Sequence, residues 1–129
     1  MGTAPRRAER NPHTLDTVIF HLAPAADWAA TLEGAPYPRS SREELFADVG
    51  FVHASTAEQL PGVVERFYRD ETGPLMLLSI DEARVESSGV EVRWEGRSDR
   101  YPHVYAPLRA EWVVSAEPAR IVDGALVLD

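Results

Sequence analysis

The sequence of 129 residues contains no cysteine, and this absence excludes several classes of site at once. Disulfides cannot cross-link the chain, and neither a thiolate nucleophile nor a sulfur-ligated metal can form. Lysine is missing as well, so all thirteen basic residues are arginine. Schiff-base catalysis and the phosphate-binding lysine of a P-loop are therefore excluded. Catalysis would have to use His, Asp, Glu, Ser, Thr, Tyr or Arg.

Long apolar runs are also missing, and none approaches the length that crosses a bilayer. The N-terminus lacks the apolar middle of a signal peptide, so we expect a cytoplasmic protein without a membrane partner. The net charge is -8, although residues 1–15 carry three arginines against one glutamate. The acidic remainder argues against binding of a DNA duplex. We expect a disordered basic leader at 1–15 and a single domain at 16–129.

The hydrophobic pattern predicts an α+β fold, with helices early in the chain and strands dominating its C-terminal half. The segments that we expect to be extended are 16–22, 50–54, 74–81, 90–96, 101–108, 111–118 and 124–129. Helical signals cover 23–34 and 42–49, and they begin again at Ser55 and Thr56. Ser55 with Glu58, or Thr56 with Gln59, matches a capping box. Trp28, in the first predicted helix, is expected in the core.

Three of the four histidines fall in predicted strands, and strand alternation gives each a defined side. A lone histidine in a strand is usually structural, but His21, His53 and His103 together indicate a shared pocket. Convergence of all three would allow a zinc site of three imidazoles. A hydrolytic triad would need Ser55, and no G-x-S-x-G elbow exposes that serine. Ser55 is more simply explained as a helix cap.

The segment "RWEGRSDRYPHVY" concentrates charged and aromatic residues, among them Arg93, Glu95, His103 and Tyr105. A solvated surface accounts for most of these charges. Glu95 follows Trp94 at a strand end, where a carboxylate beside an apolar wall could have a raised pKa or position a ribose hydroxyl. The sequence has no glycine-rich phosphate loop, so a nucleotide would have to be held in another way.

Four segments, "VIFHLAPAADW", "GFVHASTAEQLPGVVERFY", "VRWEG" and "YPHVYAPL", resemble in order the hallmark segments of the bacterial family catalogued as domain of unknown function 952. The resemblance covers about Val18 to Val114. It implies a fold like that of the ADP-ribosyltransferases, with two small, mostly antiparallel sheets and flanking helices in a single compact domain around an NAD cleft.

The same resemblance implies roles for individual residues. His21 would contact the ribose of NAD, and His53 would flank the nicotinamide, with Ser55 and Thr56 at the pocket wall. "GFVHAST" also looks like a segment of RNA 2'-phosphotransferases. The glutamate expected in the closing strand of such enzymes has no counterpart there, since that segment offers His103 and Tyr105. Glu95 or Asp99, in the preceding turn, would have to substitute for it.

We therefore expect a cleft for NAD or another nucleotide, in an ADP-ribosyltransferase or phosphotransferase-like enzyme that acts on a small molecule or a nucleotide end. The candidate catalytic residues are His53, Glu95 and His103. The candidate ligand-binding residues are His21, Ser55, Thr56, Gln59, Arg93 and Tyr105. Two alternatives remain open, a non-catalytic nucleotide- or metabolite-binding module and a metal-dependent hydrolase built on the three histidines. No oligomeric state is assigned.

Overall fold

A computed structural model describes residues 17–129, so the leader predicted at 1–15 lies outside the described residues. The strands are β1 (Val18–Pro24), β2 (Val52–His53), β3 (Leu75–Asp81), β4 (Val92–Glu95), β5 (Tyr101–Val104), β6 (Val113–Val122) and β7 (Ala125–Leu128). The helices are α1 (Ala25–Leu32), α2 (Phe46–Val49), α3 (Leu60–Phe67) and α4 (Glu82–Ser87), with a 3-10 turn at Ala110–Trp112. No helix within residues 17–129 combines the length and apolar character needed to span a bilayer.

The strands form two antiparallel sheets, which confirms the α+β prediction. The large sheet has the order β1-β3-β6-β7, and the small sheet has the order β2-β5-β4. β1 is an edge strand of the large sheet, and Phe20 forms an isolated bridge with Ser55, just beyond β2. The two residues exchange both backbone hydrogen bonds, at 2.8 and 2.9 Å. This bridge fixes the edge of the large sheet against the start of the small one.

Side-chain alternation along β1 supplies two separate cores, because successive residues point to opposite faces of the sheet. Ile19 and Ala23 join the core that includes the small sheet, Trp28 and Trp112. Phe20 and Leu22 face a second cluster, which contains Val64 and Tyr68 from α3 and its C-terminal end. The prediction that Trp28 is a core residue is confirmed, since it is 3% exposed. The large sheet is thus covered on both faces.

The third helix begins later than its capping box suggested. Thr56 and Gln59 do form the box, since each side-chain oxygen accepts a hydrogen bond from the other residue's backbone N–H, at 3.1 and 3.0 Å. A turn at 57–59 intervenes, and α3 starts at Leu60 with Pro61 in its first turn. Proline is tolerated there because the first N–H groups of a helix have no intrahelical partner.

Helix α4 is an element that the sequence reading missed. Its N-cap is Asp81, whose carboxylate accepts a hydrogen bond from the Ala83 N–H at 2.9 Å. Gly89, at φ +86°, follows its C-terminus. Both are ordinary helix boundary signals, but the helix between them has only six residues, and so short a segment shows little periodicity.

Candidate functional site

The small sheet has one apolar face and one polar face. Val52, Val92 and Val104 lie in the core. The polar face is set by strand register, because directly opposed residues share a side of the sheet. His53 lies opposite His103, and Tyr101 lies opposite Glu95. The register of the small sheet therefore brings two of the three predicted histidines and the predicted acid onto one surface.

A cleft of about 800 Å³ opens between this polar face, the edge strand β1 and helix α3. Its walls include His53, Glu95, Tyr101 and His103 from the small sheet, Phe20, His21 and Leu22 from β1, Arg66 and Phe67 from α3, and residues 41–44 from the loop before α2. Volumes of this size are typical of small-molecule and cofactor sites. The turn after Glu95 needs Gly96, since a Cβ there would collide with the backbone oxygen of Asp99.

His21 is buried, and both of its ring nitrogens are engaged. Nδ1 lies 2.7 Å from the backbone oxygen of His53, and Nε2 lies 2.6 Å from the hydroxyl of Tyr37. A carbonyl oxygen only accepts, so Nδ1 carries the proton and Tyr37 donates to Nε2. Burial is the main reason that the pKa of His21 is lowered to about 4. His21 thus connects the Tyr37 loop to β2 as a neutral structural residue, and a ribose contact through its ring would displace one of these partners.

The lowered pKa of His21 predicts that the domain loses stability in mild acid. A histidine with a pKa near 6.5 when unfolded and about 4 when folded binds its proton more readily in the unfolded state. The neutral His21 therefore contributes its full share of the free energy of unfolding above pH 6.5. This contribution is lost as the pH falls towards 4, and the loss is about 3 kcal/mol. Urea unfolding at pH 7 and pH 4.5 measures this difference. In His21→Gln the pH dependence should shrink, and an unchanged dependence would contradict the assignment.

His53 has a different environment, because its side chain is 41% exposed in the cleft. Its ring meets that of His103 edge-on, with 5.0 Å between ring centroids, and Phe51 lies 4.8 Å away. Partial burial, and then the neighbouring His103, lower the pKa of His53, while Glu44 opposes them. The Glu44 carboxylate lies 3.5 Å from Nε2. A neutral imidazole beside a carboxylate is a suitable proton acceptor.

Glu95 is held by two donors on the polar face. Its Oε1 accepts hydrogen bonds from His103 Nδ1 at 2.7 Å and from the Tyr105 hydroxyl at 2.8 Å. The bond from His103, followed by that from Tyr105, lowers the pKa of Glu95. The expectation of a raised pKa is therefore wrong, because donors to the charged form outweigh the apolar neighbour. Glu95 is an ionised carboxylate at the cleft wall, which suits it to stabilise positive charge.

The predicted site residues divide into two groups. His21, His53, Ser55, Glu95 and His103 line the cleft, whereas Thr56, Gln59, Arg93 and Tyr105 lie outside its lining. Thr56 and Gln59 are engaged in the capping box, and the Gln59 amide also donates to the Arg100 carbonyl at 2.8 Å. Arg93 pairs with Glu91 at 3.0 Å and lies over the ring of Tyr105, 4.3 Å from its centroid. Tyr105 contributes through its bond to Glu95.

Several residues of the site were missed in the sequence. Tyr37, the partner of His21, comes from the loop "APYPRSS", whose prolines predicted only irregular structure. Two further missed residues, Arg42 and Glu44, lie in the loop before α2, and Arg66 lies on the polar side of α3. Exposed charge is normal at both places. The apolar spacing of α3 does predict which residues face away from the core, but no local pattern shows that this side meets a cleft.

The three strand histidines do not form a metal centre. Within residues 17–129, no group of three or more histidine, aspartate or glutamate side chains is arranged to hold a metal ion. The physical reason is the position of His21, whose nitrogens bond to Tyr37 and to the His53 backbone. Only His53 and His103 converge with their rings. This arrangement does not support the metal-dependent hydrolase.

Comparison with solved structures identifies the same fold in the protein CC0527 from Caulobacter crescentus. That structure is 22% identical to this chain, with a TM-score of 0.69, over 86% of this chain and 94% of that one. A double mutant of the same protein matches over the same shares at 24% identity and a TM-score of 0.70. A search of curated proteins finds no match. The profile of the family described as "Protein of unknown function (DUF952)" matches residues 22–116, so the chain belongs to that family.

Proposed function

We propose that the cleft binds NAD and that the protein cleaves the bond between nicotinamide and ribose, transferring ADP-ribose to a small molecule, a nucleotide end or water. The observation that carries this proposal is the ionised Glu95 at the cleft wall, bonded to His103 and Tyr105 and placed on the same face as His53. The proposal also takes the fold to be a variant of the ADP-ribosyltransferase arrangement, as the resemblance of the chain's segments suggests.

The chemistry requires an anion close to the sugar. When the glycosidic bond breaks, its electron pair goes to the nicotinamide nitrogen and positive charge develops on the ribose. A fixed carboxylate stabilises such charge best when its donors hold it in place before the reaction. Glu95 meets this condition, since both donors bond to Oε1 and neither bonds to Oε2. The lowered pKa keeps it charged at neutral pH.

His53 supplies the second function. Its ring is exposed to the cleft and near Phe51 and His103, so it offers an aromatic face to a flat heterocycle. Its Nε2 faces Glu44, which would stabilise an imidazolium after the ring has taken a proton from the acceptor. His21 acts indirectly in this scheme, because its bond to the His53 backbone oxygen holds the strand that carries His53.

Calorimetry tests the binding. NAD should produce a saturable heat with the unmodified protein, and His53→Ala should weaken the affinity about tenfold, since an aromatic contact is lost. Glu117→Ala is the control, because Glu117 is exposed on β6 and outside the cleft lining. The proposal fails if NAD, ADP-ribose and related nucleotides give no heat at millimolar concentration.

A binding module without catalysis is the second candidate. One observation favours it: both ring nitrogens of His21 are hydrogen-bonded within the protein. His21 is the residue that the family resemblance expects to contact the ribose of NAD. A protein that only senses a nucleotide would use the same cleft and the same His53 contact. The two candidates separate in one comparison, since a module binds NAD with measurable heat and releases no nicotinamide.

A further inference from the structure

We infer that Arg66, on the cleft side of α3, is an anion subsite that receives the phosphates of the ligand. This inference rests on the proposed function for the identity of the ligand as a dinucleotide diphosphate, but the subsite itself is defined by Arg66.

Three arginines line the cleft, and their partners differ. Arg42 is neutralised, because its guanidinium bonds to Asp70 at 2.7 Å and to Glu71 at 2.8 Å, and also donates to the Phe67 carbonyl. Arg66 and Arg69 have no carboxylate within 4.0 Å among the described residues. Arg66 and Arg69 therefore bring positive charge to the cleft without a close acidic partner, in a chain whose net charge is -8.

Arg66 is oriented by neutral groups alone. Its Nη2 donates to the Tyr101 hydroxyl at 2.8 Å, and its guanidinium lies 5.6 Å from the centre of the Phe67 ring. On its other side is Gly62, where a Cβ would lie 3.2 Å from Nη1. A larger residue at 62 would press on the guanidinium. No carboxylate within residues 17–129 offsets the positive charge of the guanidinium at close range. Its remaining N–H groups lie in one plane and can donate hydrogen bonds to two phosphate oxygens at once.

The other charges of the cleft limit where an anion can lie. Glu43, Glu44 and Glu95 line the same space and would repel phosphate. A ligand with a cationic ring and an anionic diphosphate therefore has one favoured orientation. Its pyridinium end lies near Glu95 and His53, and its diphosphate lies near Arg66. The dinucleotide that the proposed function requires has this distribution of charge.

The test compares Arg66→Gln with the unmodified protein, using NAD and inorganic pyrophosphate as separate probes in calorimetry. Arg66 is exposed on a helix, so glutamine should be tolerated. We expect Arg66→Gln to weaken both affinities at least about tenfold, as loss of a charge-assisted contact does. Arg120→Gln is the control, since it removes the same charge from an exposed pair with Asp129 outside the cleft.

The outcomes separate this inference from the proposed function. If pyrophosphate binds and Arg66→Gln weakens it while NAD does not bind, the subsite is supported and the proposed function fails. If NAD binds equally to the protein and to Arg66→Gln, the subsite is overturned and the proposed function remains. An equal loss in Arg120→Gln would show a general charge effect and overturn the subsite. Failure of both probes to bind the unmodified protein overturns both.

Discussion

Replacing His21 with alanine is expected to lower the free energy of unfolding by about 4 kcal/mol, because the change creates a cavity and leaves two buried polar groups without partners. The two groups are the His53 backbone oxygen and the Tyr37 hydroxyl, which the imidazole bonds at 2.7 and 2.6 Å. Tyr37 is 1% exposed, so its hydroxyl depends on the imidazole for a hydrogen-bond partner. Urea unfolding at pH 7 measures the loss.

Two controls bracket this result. Tyr37→Phe keeps the ring and removes the hydroxyl, so it should cost about 1 to 2 kcal/mol for one unsatisfied nitrogen. His53→Ala removes a side chain that is 41% exposed, and its cost should stay near 1 kcal/mol or below. If His21→Ala lowers the free energy of unfolding by less than about 1 kcal/mol, the structural role of this histidine is contradicted. Its ring would then be available to contact a ligand.

The contrast between His21 and His53 shows what can be read from the sequence. Strand alternation assigned each histidine to a side of its strand, and the structure confirms that all three lie in strands. Alternation does not show what lies above that side. The His21 ring is buried and bonds to Tyr37 from a proline-containing loop, whereas the His53 ring is exposed to the cleft. Tertiary contacts decide between a structural and a functional histidine, and those contacts join residues far apart in the chain.

Local rules were most reliable where the physics is local. The Thr56–Gln59 capping box forms as predicted, because its two hydrogen bonds span only three residues. The same local reasoning led to error at Glu95. Its neighbour Trp94 suggested an apolar environment, but the donors that lower its pKa are His103 in the next strand and Tyr105 just beyond that strand, eight and ten residues further along the chain. Cross-strand register, which a single sequence leaves undetermined, decided the direction of the shift.

Replacing Glu95 with glutamine has the largest expected effect on activity. Glutamine keeps an oxygen that can accept from His103 and Tyr105, so the substitution removes mainly the charge. If the carboxylate stabilises positive charge on the ribose in the transition state, turnover should fall about 100- to 1,000-fold. The KM for NAD should rise far less than turnover falls, because the carboxylate stabilises charge on the ribose in the transition state more strongly than it attracts the pyridinium ring in the ground state.

The most direct test of this account is the release of nicotinamide from NAD, measured for the unmodified protein, Glu95→Gln and Glu91→Gln side by side. Glu91 lies just before the same strand, is exposed and pairs with Arg93 outside the cleft, so it is the matched control. We expect release by the unmodified protein and by Glu91→Gln, with release by Glu95→Gln at least about 100-fold slower. Equal rates for the unmodified protein and Glu95→Gln, or no release by any of the three, would contradict a catalytic role for the cleft.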